Sequence, residues 1–153
     1  MQAKNISVVS TETCHLLTDS AVPFMLVLRR GEDVVDSIIK CAEAIKLTSA
    51  TFSGIGALEN PTLGFYNLQA KEYQYKKFDG FYELVSLTGN ITKHNGQYIT
   101  HIHVVLSNAE YETIAGHLKS TKVGVTAEIN MIPFKYVVNR KLNQDFNAYL
   151  IDA

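Results

Sequence analysis

The chain has 153 residues, the length of one ordinary domain, with 46% hydrophobic and 19% charged residues. Nine glycines and three prolines with a mean hydropathy of +0.01 exclude a disordered or fibrous chain. Fourteen Lys and Arg against fifteen Asp and Glu give a formal charge of -1, which lacks the basic balance of a protein that grips nucleic acid through its phosphates.

The first residues, Met1 to Asn5, carry no basic stretch leading into an apolar one, so no signal peptide is read there. No window approaches the ~20 apolar residues of a membrane helix. Cys14 and Cys41 lack metal-ligand or CxxC spacing and are not read as a disulfide scaffold. The cytoplasm is the expected compartment. Low charge combined with fifteen Phe and Tyr residues predicts apolar surface buried in an oligomer.

Pro23 to Leu28 is a short apolar run typical of a buried strand. After Gly31 the period changes: Val34, Ile38, Cys41 and Ile45 recur at helical spacing, with Asp33 as N-cap and Asp36 in the first turn. This predicts one helix over 33–46, with Cys41 as a core residue. Beyond it the period returns to two. Ala50 to Ser53 reads as a strand entering Gly54-Ile55-Gly56, where the glycines imply a tight turn or a close backbone approach. Strands follow over 63–68, 73–78, 81–91, 99–107 and 123–131. Asp79-Gly80 and Asn95-Gly96 are predicted hairpin turns. The piece from Asn139 to Ala153 suggests one helical turn before a final edge strand. The fold class is α+β: a mainly antiparallel sheet with one long packed helix, in a single domain over 1–153.

Three of the five histidines carry the chemical signal. Strand alternation puts His101 and His103 on one face, opposite the apolar Ile102, Val104 and Leu106. If 99–107 and 113–119 form a hairpin centred near residue 110, His103 and His117 lie opposite each other. Directly opposed Cβ atoms are ~4.5–5.5 Å apart. Three neutral imidazoles with a free fourth position form a common open zinc site, and imidazole also suits nickel, iron or copper. The competing reading is a solvated sheet face of hydrogen-bonded polar residues. His15 and His94 have no such company and are read as surface residues.

Glu83, Glu59 and Glu128 sit in or beside apolar strands and are candidates for a fourth ligand or a catalytic proton carrier. An edge or interface ion pair explains them equally well, with Arg29-Arg30 as counter-charge or anion contact. There is no P-loop, no nucleophile elbow and no full dinucleotide fingerprint.

Several motifs in order, Arg30-Gly31-Glu32-Asp33-Val34, Phe52-Ser53-Gly54-Ile55-Gly56-Ala57-Leu58, Tyr82 to Ile91, His101-Ile102-His103 and Ala115-Gly116-His117-Leu118, resemble the PPC (plants and prokaryotes conserved) domain. The resemblance spans about 22–137. It implies an antiparallel sheet with a packed helix, assembled as a homotrimer. It also implies a metal site at His101, His103 and His117, as in prokaryotic members. Ala115 stands where the family pattern usually has a second glycine. In Gly80-Phe81-Tyr82-Glu83-Leu84-Val85, Phe81 replaces the Arg of the partner-binding segment of plant members. Plant members reach DNA through an Arg-Gly-Arg-Pro AT-hook, which this sequence lacks, so direct DNA binding is not expected. The implied fold is also similar to that of acetolactate decarboxylase, a zinc enzyme with an HxH pair and a further histidine, a likeness that transfers no substrate. Three functions compete: a metal-binding trimer with a regulatory role, a zinc-dependent enzyme on a small carbonyl or carboxylate substrate, and a DNA-associated protein.

Overall fold

A computed structural model describes residues 7–17 and 19–153. The signal-peptide reading at Met1 to Asn5 falls outside the described residues. No described helix is long and apolar enough to cross a membrane.

A short strand β1 (Val8–Val9) and a 3-10 turn (Cys14–Leu16) precede β2 (Phe24–Arg29) and helix α1 (Val34–Ala44). Then follow β3 (Ser49–Asn67), β4 (Glu72–Lys77), β5 (Phe81–His94), β6 (Gln97–Ser107) and β7 (Thr113–Phe134), and finally a separate hairpin of β8 (Arg140–Asn143) and β9 (Ala148–Ile151). The seven-stranded sheet runs β1-β2-β7-β6-β5-β3-β4, and a further β7–β3 pairing joins strands that this order sets apart. Strands β3, β5, β6 and β7 therefore form a closed circuit.

Length explains how. The 19 residues of β3 would run about 60 Å if straight. Instead the strand bends at register shifts between Gly54 and Gly56 and again near Thr62, and its two ends find different neighbours. Residues 50–59 pair with β5, while 62–67 pair with β4 along the same edge. Likewise β7 gives one edge to β6 and then to β2, and its other edge to β3.

This topology corrects one turn expectation and decides between the two alternatives of another. Asp79-Gly80 is not a hairpin: β4 and β5 do not pair with each other but follow one another along β3. The junction is tied to β3 by Asn60 N–H donating to Gly80 O (2.9 Å), Phe78 N–H to Pro61 O (2.8 Å) and Gly80 N–H to Asn60 Oδ1 (2.9 Å). The Gly54-Ile55-Gly56 segment makes no tight turn but continues as strand, in close backbone approach to β7. A Cβ on Gly56, whose φ is 153°, would stand 2.1 Å from Thr126 O. Asn95-Gly96 is the hairpin its sequence predicts: both residues have positive φ (49° and 81°), as a type I′ turn requires, and His94 pairs with Gln97.

Helix α1 follows its sequence signals. Asp36 N–H donates to the Asp33 side chain (3.1 Å), capping an otherwise orphaned first turn. Val34, Ile38, Cys41 and Ala42 are buried, and α1 packs against β7, β6 and β2. Burial of a side chain such as Ile38 contributes about 1.5–3 kcal/mol. The cysteine reading is corrected: Cys14 and Cys41 form a disulfide with a Cα–Cα distance of 5.4 Å, clipping the 3-10 turn to α1. Sequence separation alone could not reveal this, because the pairing depends on where the chain before β2 returns. The C-terminal expectation is also corrected. Residues 140–151 form a two-stranded hairpin with no helical turn.

Candidate metal centre and adjoining cavity

The site begins with alternation on β6. Ile102, Val104 and Leu106 are buried beneath the sheet, so His101 and His103 must face the other side. The β6–β7 register pairs His103 directly with His117, as the hairpin symmetry predicts. All three rings meet. Their centroids are 5.0, 5.4 and 5.8 Å apart, and one ring nitrogen from each lies within 4.8 Å of the other two.

The nitrogens are spaced as metal ligands would be. His101 Nε2 and His103 Nε2 are 3.2 Å apart. Two ligands at a Zn–N distance of ~2.0–2.1 Å in a tetrahedral arrangement stand about 3.4 Å apart, so this pair is already at ligand spacing. His117 Nδ1 is buried and has no hydrogen-bond partner among the described residues. Burial first, then the neighbouring His101, His103 and Lys119, lowers the His117 pKa to about 4. Burial, then His103 and Arg140, also lowers that of His101. Both imidazoles are thus held neutral at pH 7, the form that ligates.

The candidate carboxylates are not brought to this cluster. Glu83 pairs with Ser107 while Thr88 pairs with His103, about 13 Å further along the strands. Glu59 pairs with Lys122, whereas His117 faces Gly64, and its carboxylate takes an exposed ion pair with Arg30 (3.4 Å). Glu128 faces Ile55 and Val27 at the far end of β7. Glu83 and Glu128 instead share a groove with Ile55, Val85 and Val125. Arg29 makes an exposed ion pair with Glu12 (3.7 Å). His15 is exposed, but His94 is not solitary. Its Nδ1 lies 2.9 Å from Arg140 O, and its ring packs on Tyr149 with centroids 4.5 Å apart.

Other residues complete the site. Gly64 lies between His117 on β7 and Tyr75 on β4. Its missing side chain leaves room for the Tyr73 and Tyr75 rings, which an added Cβ would meet at 3.0 and 2.8 Å. Tyr73 consequently packs on His117 with centroids 4.5 Å apart. Burial, then the neighbouring Tyr75 and Tyr66, raises the Tyr73 pKa and keeps its phenol protonated. A cavity of about 460 Å³ opens beside His101 and His117, walled by Tyr66, Tyr73 and Tyr75 and bounded on one side by the β8–β9 hairpin. Of these residues, the tyrosines carried a weak signal in the polar-aromatic run of β4. Arg140 carried none, because nothing local marks which strand a tail will fold back upon.

A seven-stranded sheet with one packed helix and a three-histidine cluster on its outer face defines a narrow class. The profile of the Plants and Prokaryotes Conserved (PCC) domain matches residues 18–135, and the chain belongs to that family. A plant- and prokaryote-conserved (PPC) protein from Pyrococcus horikoshii superposes with a TM-score of 0.79 at 30% identity, over 86% of this chain and 92% of the other. A metal-containing protein from Archaeoglobus fulgidus gives 0.79 at 28%, over 86% and 93%. A protein from Bacteroides thetaiotaomicron provisionally named as DNA-binding gives 0.82 at 27%, over 85% and 91%. Acetolactate decarboxylase from Bacillus subtilis shares the fold alone, at 13% identity and a TM-score of 0.55 over 85% and 61%. No curated protein matches the sequence.

Proposed function

We propose that this protein is a metal-binding PPC-domain trimer in which His101, His103 and His117 hold one divalent transition ion, zinc foremost. The observation that carries the reading is the convergence of three imidazole nitrogens within 4.8 Å. The metal-containing relative supports it. A bound ion would supply Lewis-acid polarisation of a ligand oxygen. His101 and His117 contribute by remaining neutral, and Tyr73 by shielding the His117 ring from water. Trimer assembly is supported by family membership and by exposed Ile55, Phe65, Val85 and Val125 on the sheet. Of the four aromatics expected at such an interface, Phe65 remains available, whereas Tyr66, Tyr73 and Tyr75 line the histidine cavity. Direct DNA binding is not part of this reading: the sequence has no AT-hook and a net charge of -1. The disulfide removes the cysteine argument for the cytoplasm, since disulfides persist mainly in oxidising compartments.

A second reading, a zinc-dependent enzyme on a small carbonyl or carboxylate substrate, is favoured by the cavity beside the cluster, which falls in the ~300–1,000 Å³ range of small-molecule sites.

Elemental analysis of untagged protein tests the metal. About one ion per chain is expected, falling toward zero in His103→Ala or His117→Ala and unchanged in His15→Ala. Full occupancy in His103→Ala, or no uptake after incubation with zinc, would sink the idea. Light scattering should return three times the 17.0 kDa chain mass.

A further inference from the structure

Arg140 distinguishes the cavity from an ordinary packed surface. It is 6% exposed, and among the described residues no carboxylate lies within ion-pair distance of it. Its three hydrogen bonds go to neutral acceptors: Nε donates to Thr92 Oγ1 (2.8 Å), Nη1 to Tyr149 O (2.8 Å) and Nη2 to Asn90 Oδ1 (2.9 Å). A guanidinium has five N–H groups, so two remain. A buried cation with no counter-charge is costly, and hydrogen bonds to neutral oxygens offset only part of that cost.

Its position matters as much as its charge. Asn90, the Nη2 acceptor, stands directly opposite His101 in the β5–β6 register, on the same face of the sheet. Arg140 and His101 therefore line one cavity, a single strand apart. Lys71 and Glu72 also line it, but both are exposed and of opposite charge. The remaining wall is largely Tyr66, Tyr73 and Tyr149. Arg140 lies beyond the residues that the family profile matches.

We infer that the C-terminal hairpin makes the histidine cavity a pocket for a small carboxylate with an apolar or aromatic body, the carboxylate on Arg140 and the body against the tyrosines. The two free N–H groups match two carboxylate oxygens, and one guanidinium balances a monoanion. The inference deepens the metal reading, since the far end of such a ligand would meet the histidines, but the Arg140 contact stands without an ion.

The test is an NMR titration of the full chain with sodium benzoate and with benzamide, a neutral ligand of the same shape, on zinc-loaded and on chelator-treated protein. Benzoate should saturably shift the amides of Asn90, His101 and Tyr149 in both forms, with benzamide at least about tenfold weaker, as expected for loss of a charge-assisted bond. Arg140→Gln should weaken benzoate by about tenfold or more, and Arg140→Lys by less. Equal binding of benzoate and benzamide to the wild type overturns the inference, and this comparison needs no variant to fold. So does a folded Arg140→Gln that binds benzoate within twofold, or inorganic phosphate binding more tightly than benzoate. Benzoate selectivity in protein that takes up no zinc would uphold the pocket and overturn the metal reading. Zinc uptake without benzoate selectivity would do the reverse.

Discussion

The closed strand circuit and the C-terminal hairpin are held by opposite means. The circuit and its helix are built on a continuous apolar cluster running from Val9 to Met131. The hairpin of β8 and β9 contributes no residue to that cluster. It is fastened to the sheet instead by polar contacts, the Arg140 side chain to Thr92 and Asn90 of β5, His94 to Arg140 O and the Tyr66 hydroxyl to Phe146 O, with Arg140 to Tyr149 O and Lys141 with Asp152 (2.6 Å) bracing it internally. Apolar packing is non-directional and fixes the scaffold on which three histidines are displayed. Directional polar bonds fix the hairpin beside them. The ligand set and the tyrosine wall thus belong to the region that the family profile matches, while Arg140 and the wall of residues 147–150 come from the tail.

The largest effect that would break this contrast lies in the scaffold. Gly56→Ala should destabilise the protein by about 3 kcal/mol or more. The new methyl would press on Thr126 O and on the Ala127 backbone at 2.8 Å, and neither can rotate away. Urea unfolding measures this, and a loss below about 1 kcal/mol would mean that β3 and β7 separate easily there. Next in size is the disulfide. Cys14→Ser with Cys41→Ser should cost about 3–4 kcal/mol from the released 27-residue loop, with metal content unchanged, because the clip lies on the helix side of the sheet. Parallel metal loss would show that the clip also sets the histidine face.

Acid probes the boundary between the two regions. In metal-free protein the His117 pKa of about 4 lies below the ordinary imidazole value of ~6.5, so between those values the unfolded chain binds more protons than the folded one. The contribution of neutral His117 is complete above pH ~6.5 and is lost as pH falls toward 4. The denaturation midpoint should drop across that window, and less steeply in His117→Gln. Identical pH profiles would show that His117 is solvated in solution.

Period-two patterning exposed the strands, the core side of β6 and the His103–His117 opposition, because each depends on local alternation and on the symmetry of one hairpin. What it hid required knowing which strands meet. Asp79-Gly80 has a turn composition, and only the shared edge of β3 shows that it joins two collinear segments. Cys14 and Cys41 look unrelated until the chain before β2 is laid against α1. The Arg140 side chain bonds across 50 residues to Asn90, and no periodicity reports that. Glu59 and Glu83 stand out as charges in apolar strands, but strand alternation says which face a residue takes, not how far along the sheet it sits.

That distinction yields the smallest expected effect. Glu59 meets Arg30 in an exposed pair, and such pairs contribute ~0–1 kcal/mol because water screens both charges. Its carboxylate stands about 17 Å along β3 from the row that holds His117, beyond the reach of any side chain. Glu59→Gln should therefore change stability by less than about 1 kcal/mol and leave metal content and benzoate binding as in the wild type, and Glu83→Gln should leave metal content equally untouched. Metal loss in either variant would mean that a carboxylate does join the histidines in the assembled protein. The site would then be built from scaffold charges as well as scaffold histidines, rather than divided between scaffold and tail.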